Sequence, residues 1–140
     1  MEKILVSACL LGINCKYDGN NNKNDKVLKY LENKEIIPIC PEIYGGLSTP
    51  RNPAEVIGNK VFTKYGKDVT KNYLKGAEET LYIAKLFSVK KALLKAKSPS
   101  CGSGIIYDGT FTHQKIEGDG ITTRLLKENG IEVITEEDIK

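Results

Sequence analysis

The chain has 140 residues, of which 40% are hydrophobic and 28% charged, with a formal net charge of +3; this is the profile of a globular protein and excludes a fibrous or disordered one. A chain of this length buries about 70% of the surface it would expose when unfolded, so a single domain spanning residues 1–140 is expected to fold without a disulfide or metal staple. No apolar run approaches the ~20 residues of a membrane span, and the opening MEKILVSACLLG soon meets Asn14 and Lys16. That is too short for a signal peptide, and a cytoplasmic location is expected.

In chain order, Ile4 to Ala8 reads as a buried strand ending at Cys9. Asp25 to Leu31 has helical spacing at Val27, Leu28 and Leu31. Ile36 to Ile39 is a second strand ending at Cys40, and Pro38 within it places it near a sheet edge, because proline cannot donate to the ladder. A helix is predicted from Thr70 to Leu86 on the repeat of Leu74, Ala77, Leu81 and Ala84, with Asp68 or Thr70 as N-cap. Ala92 to Leu94 makes a third strand and leads into the loop Ser98-Pro99-Ser100-Cys101-Gly102. Gly120 to Glu128 gives a further helix closed by Gly130, Ile131 to Thr135 a last strand, and an acidic tail follows. Strands separated by helix-length segments imply crossover connections, hence an α/β fold with a mainly parallel sheet and flanking helices.

All but Arg51 and Arg124 of the 21 basic residues are lysines. Nucleic-acid readers usually carry arginines that grip phosphates and bases with paired donors, so dedicated nucleic-acid binding is disfavoured. The four cysteines are more informative. Cys9, Cys40 and Cys101 each follow a predicted strand, and in a parallel sheet the carboxyl ends of the strands share the edge where ligands bind. They are therefore expected to meet, provided the strands are parallel. There is no C-x-x-C of a structural zinc knuckle. A cysteine phosphatase would need an arginine six residues after its cysteine, where Cys9 is followed by Cys15. An iron–sulfur cluster remains possible on thiolates without local spacing; so does a bland alternative in which the thiols are small buried hydrophobes.

The segments VSACLLGINCKYDG (6–19), PICPEIYGGLSTPRNPAE (38–55), GKDVT (66–70), SPSCGSGIIYDGTF (98–111) and EGDGITTRLLKENGIEV (117–133) together resemble a family of small bacterial and archaeal proteins whose characterised members are 2-thiouracil desulfurases. The resemblance covers nearly the whole chain in order. It implies a Rossmann-like domain carrying a [4Fe–4S] cluster on Cys9, Cys40 and Cys101, with the fourth iron free of protein ligands and open to the sulfur of a thiolated base. It further implies that Glu42 is the catalytic carboxylate, Ser100 the active-site serine and Asp18 a third polar member. Cys15 has no ligand role to inherit and is expected to be a bystander thiol.

The implied activity is non-redox desulfuration of a 2-thiouracil-like pyrimidine, releasing sulfide and the oxo base. Two alternatives stand beside it: a non-catalytic cluster or metal module with Cys15 as fourth ligand, and a desulfurase of 4-thiouridine in tRNA, the latter disfavoured by scarce arginine and by the expected lack of an extra domain. No G-x-G-x-x-G is present, so no nicotinamide or flavin is expected. Arg51 is expected to pair with Glu55 at i+4, the sole histidine, His113, to lie on the surface, and the lysines of the 70–90 helix to be solvated.

Overall fold

The computed structural model describes residues 1–140. In chain order it contains β1 (Lys3–Ser7), α1 (Asp25–Tyr30), β2 (Glu35–Ile39), α2 (Pro41–Tyr44), β3 (Ala54–Ile57), β4 (Lys60–Thr63), α3 (Thr70–Leu86), β5 (Lys91–Leu94), β6 (Ile105–Tyr107), β7 (Lys115–Glu117), α4 (Ile121–Glu128) and β8 (Glu132–Thr135), with 3₁₀ turns at Ala8–Leu11 and Glu136–Asp138. Four strands form a wholly parallel sheet in the order β2-β1-β5-β8. The Rossmann-like α/β class is therefore the one observed. Pro38 pairs with Val6 on β2, which is an edge strand as its proline required.

Alternation along the strands divides the core. Ile4, Val6 and Leu93 face α1 through Val27 and Leu31, while Leu5, Ala92 and Leu94 face Ala84 of α3 and Leu126 of α4. Leu5 and Leu93 are completely buried, each such side chain stabilising the fold by about 1.5–3 kcal/mol. A third cluster, including Val56, Val61, Tyr73, Ala77, Ile106 and Ile121, ties α3 and α4 to two antiparallel hairpins, β3–β4 and β6–β7, that lie outside the sheet.

Several local expectations shift. The buried face of α3 is Tyr73, Gly76, Ala77, Thr80 and Ala84, and Leu74 is 47% exposed. Small residues face inward because α2 packs closely there: a Cβ on Gly76 would collide with the Pro41 carbonyl oxygen. The N-cap is Val69 instead of Asp68 or Thr70. Asp68 still accepts from the Thr70 amide at 2.9 Å, while the Thr70 hydroxyl is taken up by the Val61 N–H at 2.9 Å. α4 starts after Gly120, whose missing side chain leaves room for the backbone of Ser100; a Cβ there would lie 2.5 Å from its carbonyl carbon. Gly130, at φ 76°, follows the helix end as its sequence position predicts. The acidic tail is an ordered turn, in which Thr135 accepts from Glu137 N–H and Asp138 accepts from Thr135 N–H.

Candidate active site

Because the sheet is parallel, the carboxyl ends of β1, β2 and β5 open on one edge, and a cavity of about 560 Å³ lies there. Cys9 reaches it from the 3₁₀ turn after β1, Cys40 from the N-cap of α2, and Cys101 from the loop after β5. All three, with Cys15, line it as free thiols. Cys15 is buried, and Cys40 Sγ lies 4.0 Å from its backbone oxygen.

Local chemistry fixes each thiol. The loop after β5 begins where Lys95 N–H donates to Ser7 Oγ at 2.9 Å and Ala96 N–H donates to Glu136 at 2.7 Å. Ser98 Oγ then accepts from the amides of Ser100 (3.1 Å) and Cys101 (3.0 Å), and Thr123 donates to the Cys101 carbonyl at 2.8 Å. Burial pushes the Cys101 thiol up to about 12, against the opposing hydroxyls of Ser7 and Ser100. Burial also raises Cys9, while the Asn22 amide, 3.4 Å from its sulfur, works the other way. Cys40 is drawn down to about 7, chiefly because the Cys15 thiol hydrogen-bonds to it and in spite of burial; Cys15 is raised by the same bond.

Glu42 and Ser100 meet across this cavity. Ser100 Oγ donates to Glu42 Oε2 at 2.8 Å, and since its single hydrogen is thereby used, Ser98 is the donor in the 3.0 Å contact between the two serine hydroxyls. Arg51 Nε donates to Glu42 Oε1 at 2.9 Å, with only 8% and 13% of the two side chains exposed. The same guanidinium donates to Cys15 O at 2.9 Å. Tyr73 stands behind this group. Burial holds its hydroxyl in the neutral form, and the neighbouring Glu42 carboxylate adds to the effect.

Arg51 therefore does not pair with Glu55. Arg51 lies in the irregular segment before β3 and Glu55 on β3 itself, so no helix brings the two together, and Glu55 is turned instead to the β6–β7 loop, where Oε1 accepts from the amides of Gly109 (2.9 Å) and Phe111 (3.1 Å). Asp18 is not brought to the cavity. It sits on the exposed 16–20 turn, where Asn20 N–H donates to it at 3.0 Å and Lys16 approaches to 3.7 Å, so local partners hold its carboxylate outside. His113 is exposed as expected, yet it lines the cavity mouth with Tyr107 and Phe111. Sequence reasoning missed Arg51 as the partner of Glu42 and the aromatic mouth; the signals were an arginine in a lysine-rich chain and a Phe among the loop residues of YDGTF.

Buried and half-buried thiols around one cavity have the donor chemistry that an iron–sulfur cluster takes. No three His, Cys, Asp or Glu side chains stand close enough in this arrangement to surround a single metal ion. Fold and site together define a Rossmann-like enzyme domain with a thiol-lined cofactor cavity at the carboxyl edge of its sheet. Residues 4–138 match the model of the 2-thiouracil desulfurase family, and the chain belongs to that family of carbon–sulfur bond-cleaving enzymes. It is 46% identical over 146 aligned positions to the uncharacterized protein YbbK of Bacillus subtilis (strain 168), covering 97% of each chain. Among solved structures, the [4Fe-4S]-dependent thiouracil desulfidase TudS superposes with a TM-score of 0.94 at 45% identity, covering 99% of this chain and 93% of that one. No helix is long and apolar enough to cross a membrane.

Proposed function

We propose that this chain hydrolyses the carbon–sulfur bond of a 2-thiouracil-like pyrimidine, using a [4Fe–4S] cluster held by Cys9, Cys40 and Cys101, with Glu42 and Ser100 moving the protons. The observation that carries it is the Ser100-to-Glu42 hydrogen bond of 2.8 Å inside a cavity lined by those three thiols. Membership of the family and likeness to a [4Fe-4S]-dependent desulfidase support the substrate class and cofactor. When bound, the cluster supplies a Lewis-acidic iron, free of a protein ligand, for the thiocarbonyl sulfur.

The protein groups do the rest. The overall change is C=S plus water giving C=O plus hydrogen sulfide, so no electrons are exchanged. Oε1 of Glu42 is committed to Arg51, which leaves Oε2 and the serine hydroxyl as the mobile acid–base pair. Glu42 Oε2 accepts a proton from the attacking water and returns it to the ring nitrogen or the departing sulfide. Ser98, donating to Ser100, orients that hydroxyl toward Oε2. Asp18 has no part in this scheme.

Anaerobically reconstituted protein is expected to bind iron and release sulfide from 2-thiouracil, while Cys9→Ala, Cys40→Ala and Cys101→Ala each lose the iron. Reconstituted protein free of iron, or one with iron and no sulfide release, would refute the proposal. The burial of Cys15 against Cys40 favours one second reading, in which Cys15 is a fourth ligand. Iron retained in Cys15→Ala excludes it, and iron lost there establishes it.

A further inference from the structure

The loop joining β6 to β7 carries a conformational cost that hairpin closure alone does not explain. Phe111 and His113 adopt φ of 59° and 63°, in the left-handed region that residues with a Cβ avoid. A turn under no other demand would place Gly or Asn there. The strained segment is held from within by Asp108, which accepts from the Thr110 amide at 3.0 Å and its hydroxyl at 2.6 Å, and from outside by the Glu55 carboxylate, which accepts from the amides of Gly109 and Phe111 at 2.9 and 3.1 Å. What this conformation achieves is placement: Tyr107, Phe111 and His113 all line the cavity that the thiols line. Tyr107 and His113 brace one another edge to face, their ring centroids 6.1 Å apart at 79°. Phe111 is half-buried, with neither ring as its recorded stacking partner. Backbone strain at a cavity wall, paired with an unstacked aromatic, is the signature of a preorganised recognition element.

We propose that Phe111 is a specificity-determining residue, the wall against which the planar ring of the thiolated base stacks, and that Glu55 is the positioning residue that sets it; this rests on the desulfuration proposed above. Stacking recognises a flat, unsaturated, uncharged heterocycle whatever its exocyclic groups, while the reacting sulfur is read by the thiol-lined part of the cavity. Such contact binds ground state and transition state alike, so its loss raises KM and leaves kcat nearly unchanged.

Reconstituted Phe111→Leu and Phe111→Ala are expected to show KM for 2-thiouracil raised about tenfold or more, with kcat and iron content within a factor of about three of the parent. Glu55→Ala should reproduce that KM rise, and the Glu55→Ala/Phe111→Ala pair should do no worse than Phe111→Ala alone. Since the chain has no tryptophan, Phe111→Trp introduces a single reporter whose fluorescence 2-thiouracil should quench at concentrations that leave Tyr82→Trp, on exposed α3, unchanged. Unchanged KM in both Phe111 variants, or a Phe111→Trp signal indifferent to a base that the enzyme turns over, overturns the inference and leaves desulfuration standing. Quenching without sulfide release from the parent enzyme would do the reverse.

Discussion

Replacing Arg51 by Met removes one partner of a nearly buried ion pair and leaves the other in place. Arg51 makes four polar contacts: to Glu42 and Cys15 O at 2.9 Å, to Thr49 Oγ1 at 3.2 Å and to Ser48 O at 3.3 Å. Burial disfavours its charge, and Glu42 outweighs that effect. An exposed pair would contribute about 0–1 kcal/mol, but removing one member of a buried pair costs about 3–5 kcal/mol because the surviving charge stays desolvated. With 8% and 13% of the side chains exposed, the loss should fall near 3 kcal/mol, or a fall in Tm of roughly 10 °C for a protein of this size. The assay is a double-mutant cycle by urea unfolding of cluster-free protein, with Arg51→Met, Glu42→Gln and the combination. The double variant should be less destabilised than the sum of the singles by about 1–3 kcal/mol. Additivity within about 0.5 kcal/mol, or a single-variant loss below about 1 kcal/mol, would refute the claim that this bridge fixes the carboxylate.

Other outcomes follow from the same coordinates. Glu42→Gln and Ser100→Ala should each lower kcat for desulfuration by about 10²–10⁴ while retaining iron, read by sulfide release beside iron analysis; a variant at parental rate would remove that residue from the proton path. Gly76→Ala forces a Cβ against the Pro41 carbonyl and should destabilise by at least about 1–3 kcal/mol, with unaltered urea midpoint as the contrary result. In cluster-free protein at pH 7, iodoacetamide should label Cys40 well before Cys101, since one thiol sits near 7 and the other near 12; peptide mapping with the order inverted would contradict that electrostatic reading. The raised Cys101 thiol also predicts an alkaline limit. The unfolded chain loses this proton from its ordinary 9.0 and the folded one only near 12. Its contribution, about 4 kcal/mol, is complete below pH 9 and vanishes as pH rises to 12. Stability measured against Cys101→Ala across that range should converge, and parallel curves would exclude the effect.

What could be read in the sequence was whatever rests on long periodic segments or on strand ends. The parallel sheet, the 70–86 helix and the edge position of Pro38 follow from spacing and from one missing amide. So does the meeting of Cys9, Cys40 and Cys101, because parallel strands bring their ends together whatever lies between. The hairpins were not legible. AEVI, KVFT, IIY and KIE are three or four residues long, too short for a period to separate strand from loop. The partners of Arg51 and Glu55 were missed for a different reason. An i+4 pairing presumes a helix, while residues 51–53 have no regular structure and β3 begins at Ala54. Asp18 was assigned by motif likeness alone, which carries no information on the turn that its carboxylate closes with Asn20 N–H.

These two kinds of segment divide the work of the site. The groups proposed to hold the cluster and move protons, the three thiols with Glu42 and Ser100, stand on sheet ends or on α2 and the 95–101 loop, clamped by Glu136, Ser98 and Thr123 and by the close α2–α3 contact at Gly76. Groups at the mouth, Tyr107, Phe111 and His113, hang from a hairpin outside the sheet whose loop is held by the carboxylates of Glu55 and Asp108. A change in the hairpin can thus alter which ring is admitted without moving a thiol, whereas a change that displaces the α2 backbone, unlike Glu42→Gln, disturbs cofactor and base together. Variants of residues 107–113 should accordingly redistribute KM among thiolated bases at constant iron content, and variants facing α2 should lose iron and turnover in step. Iron loss on loop substitution would show the two layers to be coupled.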